Sequence, residues 1–135
     1  LLRGRSNSSM ASENKKIAII EDEPSLVGAL SDKFEAEGFS VFVANNGEEG
    51  LKSIQENKPD IVLLDIVMPV MDGMTMLKKL RETEIGKNLP VIILTNLNEA
   101  DKMSESLSDG ARDFLVKSNW KIQEVVDKVK ERLGL

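Results

Sequence analysis

Short apolar runs in this chain are each followed by side chains that can hold a metal ion or an anion. The residues that follow the first, third, fourth and fifth runs are Glu21 with Asp22, Asp65, Thr95 and Lys117. Three carboxylates gathered at one place repel one another unless a cation shares the site, and an all-oxygen set of ligands suits Mg²⁺. A lysine neutralises anionic charge, and a threonine hydroxyl can donate to a phosphoryl oxygen. This combination predicts a Mg²⁺ site that handles a phosphoryl group, with an aspartate as the nucleophile.

Each of these residues also has a plain structural explanation. Glu21 and Asp22 could cap the loop that follows the first run, and Asp65 could cap a turn. Thr95 could be an ordinary strand residue and Lys117 an ordinary surface charge. A ligand site requires all of these side chains to lie at one edge of the fold, whereas separate structural roles do not. The predicted positions of the strands and helices therefore decide between a ligand site and separate structural roles.

Five apolar runs alternate with amphipathic stretches from Lys16 onward. We interpret the runs as five short strands, at residues 17–20, 39–43, 61–64, 91–94 and 114–116. Four of the five are nearly continuous in Ile, Val, Leu and Phe, without polar alternation. This composition is typical of parallel strands that helices cover on both faces.

The stretches between the strands carry the signals of helices. Pro24 suits the first position of a helix, and Asn46 followed by Glu49 three residues later resembles a capping box. The second helix should stop before Pro59. Further helices are predicted at about residues 73–84, at about 99–109 and at 122–133, the last with Gly134 as its stop.

Strands and helices in this order predict a (βα)₅ chain of the α/β class. Right-handed crossovers then give an open, doubly wound, five-stranded parallel sheet of the flavodoxin-like type, with strand order 2-1-3-4-5. Sheets of this kind bind ligands beyond the carboxyl ends of their strands. All the polar residues named above lie at those ends. A shared ligand site is thus a better explanation than several independent coincidences.

Composition limits the chemistry further. The net charge of −5, from 18 basic and 23 acidic side chains, argues against direct binding to nucleic acid phosphates. The chain has no cysteine and no histidine, which excludes disulfides, thiolate metal sites and histidine-based catalysis. No apolar run approaches the roughly 18 residues of a membrane helix, so no membrane association is expected. The absence of cysteine fits a cytoplasmic protein.

The length of 135 residues suits a single domain, which we place at residues 15–135. Residues 1–14 are polar, serine-rich and without apolar periodicity, and the chain opens on Leu1 rather than on a methionine. The part before Met10 is expected to derive from an expression vector. We expect the whole segment to be loosely ordered and leave it out of the fold.

Four segments resemble the receiver domains of bacterial response regulators, the phosphorylated switches of two-component signalling. The segments are IIEDEPSL, IVLLDIVMPVMDG, VIILTNL and GARDFLVK, and the resemblance extends over residues 16–133. The chain is similar to the single-domain regulators of the chemotaxis type. Members of this family are not turnover enzymes, since they catalyse only their own phosphorylation and a slow autodephosphorylation.

The resemblance assigns a role to each site residue. It implies that Asp65 is the phospho-acceptor, that Thr95 is the switch hydroxyl and that Lys117 stabilises the phosphoryl group. Glu21 and Asp22 are the acidic pair that binds Mg²⁺ together with Asp65 and the backbone carbonyl of Val67. Phe114 occupies the family's aromatic switch position and, having no hydroxyl, is expected to point inward. Its place on an inner strand fits an ordinary core residue nearly as well.

The chain departs from the family pattern at several places. The acidic pair is Glu-Asp where Asp-Asp is commoner, so Asp22 is expected to bind the metal directly and Glu21 through water. Ser118 follows Lys117 where the family usually has a cis-proline, and we expect this bond to be trans because a non-proline cis bond costs about 3 kcal/mol. Val67 and Leu97 cannot orient an attacking water, which predicts slow autodephosphorylation.

Three functions remain open at this stage. The first is a phosphorylation switch that takes a phosphoryl group from a histidine kinase or a histidine phosphotransfer protein. The sequence does not specify how this switch produces its output. The output could pass through an unidentified target protein, an output domain or a phosphorylation-dependent homodimer. The second is a Mg²⁺-dependent phosphohydrolase, which the missing second aspartate after Asp65 disfavours. The third is a receiver-like interaction module that is never phosphorylated, which the complete set of chemical groups disfavours.

Overall fold

The fold is taken from a computed structural model, which describes residues 15–65, 70–95, 113–116 and 121–135. The five strands are β1 (Lys16–Ile20), β2 (Ser40–Ala44), β3 (Ile61–Asp65), β4 (Val91–Thr95) and β5 (Asp113–Val116). The helices in the described residues are α1 (Pro24–Ala36), α2 (Gly47–Asn57), α3 (Gly73–Arg81) and α4 (Ile122–Leu133).

The strands form one sheet with the order β2-β1-β3-β4-β5, and every neighbouring pair is parallel. The predicted flavodoxin-like architecture and strand order are therefore confirmed. The register aligns Ile20 of β1 with Leu64 of β3, so that Glu21 and Asp65 come next on the two strands. The polar residues predicted after β1 and β3 thus leave the sheet side by side.

Each face of the sheet buries its own apolar core. One core contains Ile20, Leu64 and Ile93 from the strands, packed with α2 and α3 residues such as Ile54 and Leu77. The other core lies under α1 and α4, and it includes Ile19, Leu63, Leu30, Phe34 and Val126. Because both faces are covered, successive strand residues are all apolar, which explains the continuous runs in the sequence.

The predicted starts of the four helices that the structure describes are confirmed. Pro24 occupies the first turn of α1, where the missing N–H of proline costs nothing. The Asn46 side chain accepts a hydrogen bond of 2.9 Å from the backbone N–H of Glu49 at the start of α2. Asp72 caps α3 in the same way through the N–H of Thr75. The last helix ends at Gly134, whose φ of 75° is left-handed as a helix stop requires.

The predicted end of α3 at residue 84 is wrong, because the helix stops at Arg81. The Thr83 hydroxyl donates to the Leu80 carbonyl at 2.8 Å and accepts from the Gly86 N–H at 2.9 Å. The Arg81 guanidinium donates to the carbonyls of Gly86 and Leu89, at 2.6 and 2.8 Å. These side-chain bonds replace the next helical turn with a compact loop.

Two of the predictions about secondary structure and order concern residues that the structure does not describe. They are the helix at about 99–109 and the loosely ordered segment 1–14. Among the residues that are described, no helix has the length and apolar character needed to cross a membrane.

Candidate functional site

Three carboxylates meet at the carboxyl end of the sheet. Glu21 and Asp22 follow β1, and Asp65 is the last residue of β3, which pairs with β1. One carboxylate oxygen from each residue lies within 4.8 Å of the other two. Glu21 and Asp65 are 44 residues apart in the sequence, and the parallel pairing of β1 with β3 brings them together with Asp22.

The Glu21 side chain is fixed by the backbone that follows it. Its Oε2 atom accepts hydrogen bonds from the N–H groups of Asp22 and Glu23, both at 3.1 Å. The Glu21 N–H donates to the Ala44 carbonyl at 3.0 Å, which prolongs the pairing of β1 with β2 by one residue. Glu21 is fully buried, and backbone donors just before α1 are a favourable environment for its negative charge.

The three acidic residues differ in exposure. Asp22 is exposed, whereas Asp65 is only 4% exposed and Glu21 is 0% exposed. Asp65 is thus almost completely shielded from solvent, although it is the last residue of its strand. β3 lies between β1 and β4 and is covered on both faces, so every one of its residues is buried, including the last.

The donor set matches a small hard cation. Carboxylate oxygens are the ligands that Mg²⁺ prefers, and a cluster of like charges with two buried members gains stability when a cation shares it. The exposed Asp22 can reach such a cation from the solvent side, whereas one oxygen of Glu21 is already bonded to backbone amides. Glu21, Asp22 and Asp65 are thus suited to hold a divalent metal ion.

The other predicted site residues are described only in part. Thr95 is the last residue of β4, next to β3, and its register partner is Val116 at the end of β5. Phe114 lies in β5, aligned with Ile93. Lys117 and Val67 lie outside the described residues, as do the Lys117–Ser118 peptide bond and Leu97.

The segment after the Asp65 loop has a feature that we did not predict from the sequence. Val70 is 78% exposed and has a φ of 68°, a left-handed conformation that is unfavourable for a β-branched side chain by about 1–3 kcal/mol. Its neighbour Met71 accepts a 2.9 Å hydrogen bond from the Gly47 N–H through its backbone carbonyl. The only sequence signal for this contact is the glycine itself, at the start of α2.

The methionines that follow the Asp65 loop are core residues where the structure describes them. Met74 and Met76 are buried among the side chains under α2 and α3, and Met71 is partly buried against the same core. Their flexible side chains fill space between the helices, as expected for methionine in a core.

The fold and the site together define a doubly wound α/β domain with a cluster of three carboxylates at the carboxyl ends of its strands. The sequence model of the response regulator receiver domain matches residues 17–130. The chain therefore belongs to the response regulator receiver family. Receiver domains are signalling switches that histidine kinases phosphorylate, and the family binds Mg²⁺ in its active site.

Two relatives from Bacillus subtilis (strain 168) illustrate the range of the family. The sporulation initiation phosphotransferase F is 38% identical over 122 residues, which cover 90% of this chain and 96% of that protein. The alkaline phosphatase synthesis transcriptional regulatory protein PhoP is 36% identical over 117 residues, covering 87% of this chain but only 48% of PhoP. The chain therefore spans about half the length of some curated relatives and nearly the whole of another.

Solved structures agree with this assignment. A response regulator from Chloroflexus aurantiacus J-10-fl superposes with a TM-score of 0.82 at 30% identity, over 90% of this chain and 98% of that one. The receiver domain of the sensor histidine kinase PA1611 from Pseudomonas aeruginosa PAO1 has a TM-score of 0.81 at 25% identity, with the same coverage. That crystal structure has a magnesium ion coordinated in the active site cleft.

Proposed function

We propose that this domain takes a phosphoryl group from a phosphohistidine onto Asp65, in a reaction that depends on Mg²⁺. The donor is a histidine kinase or a histidine phosphotransfer protein. The observation that carries the proposal is the approach of one oxygen each from Glu21, Asp22 and Asp65 to within 4.8 Å at the carboxyl end of the sheet. A magnesium ion in the corresponding cleft of the PA1611 receiver domain adds support.

The chemistry follows from the residues in the site. A carboxylate oxygen of Asp65 attacks phosphorus in line, a new oxygen–phosphorus bond forms, and the bond from phosphorus to the donor's imidazole nitrogen breaks. Lys117 pairs with the phosphoryl oxygens, and the Thr95 hydroxyl donates to one of them. Mg²⁺, bound by Asp22, Asp65, the Val67 carbonyl and, through water, Glu21, would offset the negative charge that gathers there.

Phosphorylation is proposed to act through a change of surface. Movement of Thr95 toward the phosphoryl group, together with a shift of Phe114, would bias the face formed by the predicted helix at 99–109, β5 and α4. Thr95 and Phe114 lie on the neighbouring strands β4 and β5, which suits them to act together. The partner that binds this face is a downstream protein, an output domain or a second copy of the chain.

The proposal is tested by supplying a small phosphoramidate as a mimic of phosphohistidine. The expected result is an alkali-labile phosphoryl label that requires Mg²⁺ and does not form when EDTA is present from the start. Beryllofluoride with Mg²⁺ should shift the amide NMR signals of residues around β4 and β5. A protein that takes up no label and whose spectrum beryllofluoride leaves unchanged would instead be an interaction module that is never phosphorylated.

We also propose that the phosphoryl group leaves Asp65 slowly. Hydrolysis requires a water held in line, and neither Val67 nor Leu97 can hydrogen-bond one. The double variant Val67→Asn with Leu97→Glu should lose its label faster than the parent chain in Mg²⁺ buffer. Equal decay of the two proteins would contradict this explanation of the lifetime.

A further inference from the structure

The start of α2 is packed directly against the segment that follows the Asp65 loop. The Gly47 N–H donates to the Met71 carbonyl at 2.9 Å. A Cβ atom added at Gly47 would lie 2.6 Å from the same carbonyl oxygen and 2.9 Å from Met71 Cγ. Ordinary contact begins at 3.4 Å, so any other residue at position 47 would push the two backbones about 0.8 Å apart. Only glycine permits this approach.

Residues 70–72 are held in place from two directions. The Met71 carbonyl is bonded to Gly47, and the Asp72 side chain accepts from the Thr75 N–H at 2.9 Å as the cap of α3. Between this segment and the end of β3 there are only residues 66–69. The left-handed Val70 is the first residue of the fixed segment, and an exposed valine has no packing of its own to stabilise that conformation. Among the described residues, the contacts that can stabilise it are those of Met71 and Asp72.

We propose that Gly47 is a positioning residue of the phosphorylation site. It touches neither the metal nor the phosphoryl group. Asp65 is the last residue of β3 and is held by the sheet. Gly47 holds the chain again six residues further on, through its hydrogen bond to the Met71 carbonyl. Asp65 and Met71 are therefore both fixed by described contacts, and displacements of about 1 Å in a reaction site can lower rates a hundredfold. This inference rests on the proposed phosphorylation of Asp65.

The chain offers two matched controls, both of them glycines. Gly86 also approaches a backbone carbonyl closely, since an added Cβ would lie 2.3 Å from the Leu80 oxygen. It precedes β4 and therefore lies at the opposite, amino end of the strands. Gly28 lies within α1 with nothing inside 4 Å of an added Cβ. Gly86→Ala thus disturbs packing away from the site, and Gly28→Ala disturbs nothing.

The experiment measures the rate of labelling by phosphoramidate at saturating Mg²⁺ and donor, divided by the folded fraction from urea denaturation. We expect Gly47→Ala to lower this maximal rate by about tenfold to a hundredfold. Gly86→Ala should keep the parent rate per folded molecule even though its stability falls. Gly28→Ala should keep the parent rate and should not lose stability.

Other outcomes distinguish a failure of the positioning role from a failure of the proposed phosphorylation. Labelling of Gly47→Ala at the parent rate, or an equal loss of rate in Gly86→Ala, would overturn the positioning role while leaving the proposed function intact. A parent chain that takes up no label would overturn both. If Gly47→Ala does not fold, Val70→Pro breaks the same contact from an exposed position, because proline cannot adopt a φ of 68°.

Hydrogen exchange at the Gly47 amide then reports whether the contact is lost. We expect Val70→Pro to lose protection of that amide together with labelling rate. Val70→Gly, which keeps the left-handed conformation available, should retain both and unfold at a higher urea concentration. Loss of protection in Val70→Pro without any loss of labelling rate would overturn the inference.

Discussion

The two ends of the sheet differ in the surroundings of their charged side chains. At the amino end, Arg81 donates to the carbonyls of Gly86 and Leu89. At the same end, the Asp60 carboxylate accepts from the Lys16 N–H at 2.8 Å. Each of these charged groups meets backbone groups of complementary polarity, as expected for residues that stabilise a fold.

At the carboxyl end, like charges are brought together instead. Glu21 and Asp65 are buried close to the exposed Asp22, and the nearby segment contains Val70 in a strained conformation. Such an arrangement costs stability unless a cation or ligand joins it. From this contrast we infer a division of roles between the two ends of the same strands, with the amino end stabilising the fold and the carboxyl end binding the proposed metal ion. The following predictions test that division.

The largest difference is expected for Asp65→Asn. This variant should abolish labelling because it lacks the nucleophile. Its stability without Mg²⁺ should be unchanged or higher by up to about 1 kcal/mol, because the change removes one of three neighbouring negative charges and keeps the shape of the side chain. Urea denaturation with and without Mg²⁺ measures the second effect. A marked loss of stability would show that the Asp65 charge is needed for folding.

At the amino end of the strands, we expect a loss of stability without a loss of labelling. Arg81→Ala leaves the carbonyls of Gly86 and Leu89 without this donor and should lower the free energy of unfolding by about 2 kcal/mol. The labelling rate per folded molecule should stay the same. A variant that is as stable as the parent but labels slowly would remove the distinction between the two ends.

The acidic pair provides a finer test within the site. Asp22→Asn should weaken Mg²⁺ binding by about tenfold, or about 1.4 kcal/mol, because the exposed carboxylate is the proposed direct ligand. Glu21→Gln is the matched variant and should have a smaller effect. Amide NMR shifts during a Mg²⁺ titration measure both. Equal losses, or a larger loss for Glu21→Gln, would contradict the ranking.

The smallest effect is expected far from either set of contacts. Gly28 lies within α1, and alanine there meets open space. Gly28→Ala should raise the free energy of unfolding by about 0.5–1 kcal/mol, because alanine is the better helix former. The urea midpoint should rise while labelling does not change. A fall in the midpoint would mean that the exposed face of α1 contacts something in the folded chain.

Much of the fold could be predicted from the sequence because the strong signals are local. Continuous apolar runs identified all five strands, and Pro24, Asn46 and Gly134 identified helix ends. The end of α3 at Arg81 was missed because Thr83 and the Arg81 side chain terminate it, without a glycine or proline at that point.

The carboxylate site was predictable for the same reason, since its residues directly follow strands. The burial of Asp65 was not, because it depends on how the neighbouring strands and helices cover the end of β3. The contact of Gly47 with Met71 joins residues 24 positions apart, and no local pattern indicates it. The left-handed Val70 runs against the usual preference of its side chain, so only the structure reveals it.

The most direct test of the central claim is to identify the residue that receives the phosphoryl group. Borohydride reduces an acyl phosphate to an alcohol, so a phosphorylated aspartate becomes homoserine, which mass spectrometry of peptides locates. After phosphoramidate treatment in Mg²⁺, we predict homoserine at position 65 and at no other acidic residue of the chain. Homoserine at Asp22, a side chain reduced to the longer hydroxy amino acid at Glu23, or no reduced residue in a chain that carries label, would contradict the account.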